Sequence, residues 1–276
     1  MSPLADRPSA TPGPFQALSL DLWFTTIYYE PGDERVWSEC RHRELRSILT
    51  DTEGRPFPLT RVEEGVRKVR ATLREQGVAL DAVAPRTYLS YVAHELGSPV
   101  QPKEGQVNAY AEAGLVEAPP RANPEALRLL SRLAGRGIPV VAVSNSARPG
   151  EVWRRFLHDQ HGLDFAFVLS SCDFGWSKPS PGLFRVATER LGIPPASLLH
   201  AGDRWELDVE GAASAGVAPA LYRGLWGRYP PSESHLPHAR HDGGHPGVLQ
   251  IDSLEELERE ELWERPPGGP PVPYSR

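Results

Sequence analysis

The stretch FQALSLDLWFT, residues 15–25, decides the fold. Phe15 to Leu20 is a short apolar run of the kind a parallel sheet buries, and it stops on a carboxylate, Asp21. Four more runs of this kind follow: Pro139 to Val143, Phe165 to Leu169, Ser197 to Ala201 and Ala218 to Tyr222. A sixth, Val248 to Ile251, precedes a helix expected to begin near Ser253. Helical patterns separate the later runs, and this alternation predicts an α/β fold, a doubly wound parallel Rossmann-like sheet covered by helices.

Ligands of such a sheet gather beyond the carboxyl ends of the strands. Those ends present Asp21, then Ser144 and Asn145, then Lys178 in a loop, then Asp203 and Asp208. Carboxylates, a hydroxyl and a lysine converging on one crevice suit phosphoryl chemistry. The acids hold Mg²⁺, the hydroxyl and backbone amides hold phosphate oxygens, and the lysine neutralises charge. One carboxylate can instead attack phosphorus and form an aspartyl-phosphate.

The helices carry their own punctuation. Asn123-Pro124 gives a capping side chain and then a proline in the first helical position. That helix is expected to bury Leu127, Leu130 and Ala134 and to stop near Gly135 to Gly137. Another spans about Pro181 to Leu191, with Leu183, Phe184 and Ala187 inward and Gly192 beyond its end. The stretch from Asp33 to Pro120 has no strand candidate. Thr60-Arg61-Val62-Glu63 reads as a capping box ahead of Val62, Val66, Val69 and Leu73 at helical spacing. Asp33 to Leu49 and Arg86 to Leu96 also read as helices, so the stretch is a helical insertion with Pro119-Pro120 as its return hinge.

Composition narrows the function classes. The 276 residues carry 30 Lys+Arg against 36 Asp+Glu, a formal charge of −6, which gives no electrostatic case for nucleic acid. No apolar run is long enough for a membrane span, and the first residues lack the apolar core of a signal peptide. The two cysteines, Cys40 and Cys172, exclude a disulfide framework and suit a reducing cytoplasm. The 29 prolines concentrate at the two ends, which read as tails, and in the connections between elements.

The segments Leu18 to Thr25, Val140 to Asn145, Lys178 to Phe184 and His200 to Asp208 together resemble the four motifs of the haloacid dehalogenase superfamily. Their order, with a helical insertion after the first, resembles the subgroup with an α-helical, C1-type cap. The resemblance implies a core over 15–32 and 121–262, a cap over 33–120, and tails over 1–14 and 263–276. It implies that Asp21 is the nucleophile and that Ser144 and the Asn145 amide bind the phosphoryl group. Lys178 would bridge phosphate and Asp21, and Thr25 would close the first loop beside the phosphate. Asp203, Asp21 and the Trp23 backbone carbonyl would bind Mg²⁺, with Asp208 supporting the metal or orienting Lys178. The expected activity is Mg²⁺-dependent hydrolysis of a small phosphorylated metabolite, with closure of the cap excluding solvent.

One residue departs from that pattern. Most phosphatases of the superfamily carry a second aspartate two residues after the nucleophile, working as general acid and base; here Trp23 stands there. An indole N–H has no useful titration, and such proton transfer is typically worth about 10²–10⁴ in rate. The superfamily's dehalogenases also lack that aspartate, so metal-free attack on carbon is an alternative, as is a non-catalytic relative binding a phosphorylated ligand or protein. The retention of both Asp203 and Asp208 favours the phosphate reaction, because acids beside Asp21 repel one another without a cation.

Each residue also has a plainer reading. Asp21 and Asp208 could cap helices, Ser144 could do the same, and Lys178 could be a solvated loop lysine. Trp23 could pack beneath the cap, and Tyr28, Tyr29, Arg35 and Trp37 could shape the pocket or merely pack. His235, His238, His241 and His245 read as a solvated loop ahead of a second metal site, lacking cysteine or helix-face spacing. Glu255 to Glu261 reads as the wet face of a terminal helix.

Overall fold

A computed structural model describes residues 14–228 and 248–263. The four clustered histidines and most of both expected tails lie outside the described residues. In chain order the elements are β1 (Ala17–Leu20) and β2 (Ile27–Tyr28), then the helices α1 (Asp33–Ile48), α2 (Leu59–Glu75), α3 (Pro85–Leu96) and α4 (Glu104–Glu112). There follow β3 (Arg121–Ala122), α5 (Pro124–Gly135), β4 (Val140–Ser144), α6 (Gly150–His161), β5 (Val168–Ser170), α7 (Ser171–Phe174) and α8 (Gly182–Leu191). The chain continues through β6 (Leu198–Gly202), α9 (Glu210–Ser214), β7 (Ala218–Tyr222) and β8 (Leu249–Ile251).

Six strands form a parallel sheet in the order β5-β4-β1-β6-β7-β8. The strand order reverses at β1, so the crevice beyond its carboxyl end is the topological switch point. Side chains alternate between the faces. Leu18, Leu20, Ala142 and Leu199 pack with α5, α6 and the C-terminal Leu254 and Leu257, whereas Ala17, Val143 and Leu198 pack with α8 and α9. Both faces are therefore covered. Each fully buried leucine of these layers contributes about 1.5–3 kcal/mol.

The helices α1 to α4 enclose a second cluster, built on Leu45, Val62, Leu89, Val92 and Tyr110. The chain leaves the sheet and returns to it through a two-residue antiparallel ladder, Ile27 with Ala122 and Tyr28 with Arg121. Asn123, half a turn later, accepts from the Glu125 N–H as a helix cap. Its amide also donates to the Thr25 carbonyl at 2.9 Å, so one side chain starts α5 and ties down the first loop.

Several local expectations are corrected. The Thr60 capping box does not form: α2 begins at Leu59 after extended Pro58, with no side-chain cap. The buried face of α5 is Ala126, Leu129, Leu130 and Leu133, while Leu127 and Ala134 are exposed. Ser253 does cap, in a box with Glu256, but it starts short 3₁₀ turns over Leu254–Glu258 and Glu260–Leu262, not a long helix. Trp263, assigned from sequence to the tail, is buried against Phe15. Helix α4 and the β2–β3 ladder were not anticipated. Among the described residues no helix is long and apolar enough to cross a membrane.

Candidate active site

β1 ends in Leu20, and Asp21 follows at the switch point with its N–H donating to Ala201 O of the neighbouring strand at 2.9 Å. The next residues turn sharply. Thr26 and Ile27 donate their N–H groups back to Leu22 O, and Phe24 takes a left-handed backbone, φ 56°. A non-glycine residue there is strained, and such strain clusters at functional sites. The Thr26 hydroxyl closes this loop, donating to Asp21 O at 2.7 Å. Thr25 is fully buried, its hydroxyl has no partner, and it does not line the crevice. The loop-closing hydroxyl is therefore one residue later than the sequence suggested.

The crevice is a cavity of about 340 Å³. Asp21, Trp23, Ser144, Asn145, Lys178, Asp203 and Asp208 all line it, so seven of the eight sequence-selected residues meet. The Lys178 ammonium is the hub. It donates to Asp208 Oδ1 at 2.6 Å, to Asp21 Oδ1 at 2.7 Å and to the Val143 carbonyl at 2.9 Å. Asn145 holds the loop that delivers it: its carboxamide accepts from the Lys178 N–H at 2.7 Å and donates to the Lys178 carbonyl at 2.9 Å. The Ser144 hydroxyl is buried and unpartnered.

Asp208 comes from the wide π-helical turn Trp205–Val209 that follows β6. Its second oxygen accepts from the Arg204 N–H at 2.9 Å. It approaches so closely that a Cβ on Gly202 would lie 2.2 Å from its Cγ; only glycine fits at the end of β6. His200 was missed by sequence reasoning. It lies opposite Ser19 in the β1–β6 register, with Nδ1 2.8 Å from the Ser19 hydroxyl and Nε2 3.1 Å from Asp208 Oδ1. Burial lowers its pKa. A neutral ring donating Nε2–H to Asp208 and accepting from Ser19 satisfies all three groups.

Burial alone would lower the Lys178 pKa, but Asp208 and Asp21 outweigh it and hold the ammonium charged. Burial alone would likewise raise the Asp208 pKa, and Lys178 and His200 bring it well below the ordinary carboxylate range. Asp21 is raised by burial, with Asp208 adding to the effect and Lys178 opposing it. Asp203 is raised furthest in kind: it is buried, faces Asp208 and Asp21, and neither of its oxygens has a hydrogen-bond partner.

Asp21, Asp203 and Asp208 each bring a carboxylate oxygen within 4.8 Å of the others. An all-oxygen donor set of this kind suits a hard divalent cation such as Mg²⁺. The two orphaned oxygens of Asp203 fit that group, since a buried acid without a donor needs a cation or a proton. Asp208 has both oxygens engaged by protein donors, which marks it first as the residue that orients Lys178.

The helical segment also reaches the crevice. Asp81, from the short turn Leu80–Ala82, lines it, accepting from Ser177 Oγ at 2.7 Å on its carboxylate and from Ser171 Oγ at 2.6 Å on its carbonyl. Glu34, Tyr29 and Trp37 line it from the start of α1 and the strand before it. Trp23 packs among Tyr29, Trp37 and Trp153 with ring centroids 5.3–5.5 Å away. Cys40 and Cys172 are both buried free thiols, and burial pushes Cys172 up, away from reactivity.

Comparison with known proteins gives the family and the fold. Residues 15–216 match the family model described as haloacid dehalogenase-like hydrolase. Glyceraldehyde 3-phosphate phosphatase of Methanopyrus kandleri is 26% identical over 200 residues, covering 65% of this chain and 84% of that protein. Phosphoserine phosphatase of Thermus thermophilus is 32% identical over 103 residues, 37% of this chain and 39% of that protein. Among solved structures, 2-haloacid dehalogenase of Pseudomonas syringae pv. Tomato aligns over 88% of this chain and 96% of its own, with a TM-score of 0.56 and 19% identity. A HAD phosphatase of Thermococcus onnurineus aligns over 88% and 95%, with a TM-score of 0.53 and 19% identity. At such identity these two structures speak for the fold.

Proposed function

The chain belongs to the haloacid dehalogenase-like hydrolases, and we propose that within that family it is a Mg²⁺-dependent phosphomonoesterase of small phosphorylated metabolites. The observation that carries this reading is the pair of buried, unpartnered Asp203 oxygens beside Asp21 and Asp208. Displacement of halide from carbon without a metal would leave those three acids buried together and both Asp203 oxygens without a hydrogen-bond donor. The phosphatase names of the two relatives point the same way.

In this reading Asp21, Asp203 and the Trp23 carbonyl would hold Mg²⁺, with Asp208 supporting the metal or orienting Lys178, and the ion would supply charge neutralisation to the phosphoryl oxygens. The Asp21 carboxylate attacks phosphorus as the ester P–O bond breaks, giving an aspartyl-phosphate and an alcohol. Water then cleaves the acyl-phosphate and restores Asp21. The Ser144 hydroxyl and the Asn145 N–H hold phosphoryl oxygens, and the Lys178 ammonium offsets the negative charge that accumulates near Asp21. Residues 33–120 act as the cap over the core of 15–32 and 121–262, closing to exclude water.

The proton role that Trp23 cannot fill falls to Glu34. Two carboxylates line the crevice besides the three acids at its floor, Asp81 and Glu34. The Asp81 carboxylate is committed to Ser177, whereas the Glu34 carboxylate makes no hydrogen bond or ion pair among the described residues.

Hydrolysis of an aryl phosphate by wild type and Asp21→Asn, each with Mg²⁺ and with chelator, tests the assignment. Activity is expected from wild type with Mg²⁺ alone. Turnover surviving in folded Asp21→Asn, or undiminished in chelator, overturns it.

A further inference from the structure

Helices α1 to α4 surround a second cavity, of about 350 Å³, separate in its walls from the catalytic crevice except where Glu34 and Trp37 line both. Apolar side chains such as Leu45, Val66 and Val83 form much of it. Its polar groups are mostly cationic or aromatic: Arg41, Arg70, His42, Tyr88 and Tyr110. The one carboxylate lining it is Glu34, at the junction with the crevice.

Arg41, on α1, is half-buried and Arg70, on α2, is exposed at the rim of the cavity. Arg55 pairs with Asp51 and Glu53, Arg61 with Glu64, and Arg86 with Glu104. Arg41 and Arg70 pair with no carboxylate among the described residues. The Nε of Arg41 is buried without a hydrogen-bond partner, and its guanidinium lies 5.8 Å from the Tyr110 ring centroid. Tyr110 stacks on Tyr88 with centroids 6.1 Å apart and planes 18° from parallel, so the ring pair forms a flat wall beside the charge. Arg148 is buried nearby, its guanidinium donating to the carbonyls of Ala111 and Ala113 and lying over the rings of Trp37 and Trp153. The buried Arg41 Nε has lost its hydration without gaining an acceptor, and an anion in the cavity would supply one.

We propose that this cavity receives the leaving-group end of the substrate, and that this end carries a second anionic group bound by Arg41 and Arg70. The inference rests on the reading of the crevice as a phosphomonoesterase. Its substrate class is then a small phosphomonoester with an apolar or planar middle and an anionic terminus. The phosphate lies at Asp21, the ester oxygen passes Glu34 at the junction, and the far anion meets the guanidiniums. A ligand filling both cavities is a small metabolite in volume. Carboxylate and phosphate share the required chemistry at the far end.

The test is binding of non-hydrolysable phosphonates to Asp21→Asn in Mg²⁺, followed by calorimetry. A short homologous series of ω-phosphonocarboxylates is compared with the matching ω-phosphonoamides, and a bisphosphonate series separates a phosphate terminus from a carboxylate. At the best chain length one of the anionic series is expected to bind at least about tenfold tighter than the amide. Arg41→Gln and Arg70→Gln in the same background should bring that ratio toward one, with circular dichroism confirming that each variant is folded. Anion and amide binding equally at every length, or a preference that survives the double variant, overturns the proposal. Turnover of aryl phosphate by the wild-type enzyme separates the two failures. Hydrolysis without any anion preference removes this proposal alone, and an arginine-dependent preference without hydrolysis removes the phosphatase reading alone.

Discussion

Lys178 and Asp208 form a 2.6 Å ion pair from which solvent is almost entirely excluded, the side chains being 2% and 1% exposed. The pair is satisfied on every side, by Asp21 and Val143 O around the ammonium and by His200 and Arg204 N–H around the carboxylate. A buried pair of this kind adds little over an apolar substitute, but removing half of it strands the other charge.

Lys178→Met should therefore destabilise the metal-free protein by about 3–5 kcal/mol, because Asp21 and Asp208 are left together without a cation. Urea unfolding in chelator measures this. Added Mg²⁺ should recover part of the loss, since binding to the native state alone stabilises by mass action. A variant as stable as wild type in chelator would show that the lysine is not what compensates the acids.

Gly202→Ala probes the closest approach in the site. The added methyl would sit 2.2 Å from Asp208 Cγ and 2.5 Å from its Oδ2, so the carboxylate must move off Lys178 and the Arg204 amide. Forced contacts of this size typically cost about 1–3 kcal/mol. We expect that loss in urea, together with a fall in aryl phosphate turnover larger than the stability change explains. A fully active variant would mean that the position of Asp208 is not critical.

Asp203→Asn should divide stability from function. The native carboxylate is buried beside Asp21 and Asp208 with no donor to either oxygen. An amide cannot ionise beside those acids and supplies two donors. In chelator the variant should melt higher than wild type, by about 2–4 °C per kcal/mol gained for a chain of this size. In Mg²⁺ it should lose the metal-dependent rise in melting temperature that wild type displays. An equal Mg²⁺ shift in both proteins would remove Asp203 from the metal site.

What the sequence made legible is what strand geometry fixes. Asp21, Ser144, Asp203 and Asp208 follow strands whose ends meet at the switch point, so their convergence needs only the strands to be found. The misreadings have local causes. Thr26, not Thr25, closes the first loop because Phe24 turns left-handed and shifts the hydroxyls by one residue. On α5, Leu127 is apolar and in phase with Leu130 and Ala134, but Ala126, Leu129, Leu130 and Leu133 make the tighter stripe and Leu127 is left outside. Pro58 starts α2 by its extended backbone, which leaves Thr60 already inside the first turn. Helix α4 has few apolar residues in phase, with Val107, Tyr110 and Ala111 buried. Asp81, Glu34 and His200 carry no spacing signal at all. They reach the site through the docking of the helical segment and through pairing of β1 with β6, neither of which a local pattern encodes.

Trp23 touches Tyr29, Trp37 and Trp153, so Trp23→Asp removes a large ring from a packed cluster and should cost about 3–5 kcal/mol. Its effect on rate must therefore be read against stability, and Glu34 offers the cleaner probe because it packs in no core cluster. If Glu34 protonates the leaving oxygen, Glu34→Gln should slow hydrolysis of an alkyl phosphate by about 10² or more. An aryl phosphate, whose leaving oxygen needs no proton, should slow much less in the first step. Trp23→Asp in that background should then restore part of the alkyl phosphate rate despite a lower melting temperature, because a carboxylate again stands two residues from Asp21. Equal slowing of both substrates in Glu34→Gln would make Glu34 a binding residue, and no slowing of either would leave the proton to another group.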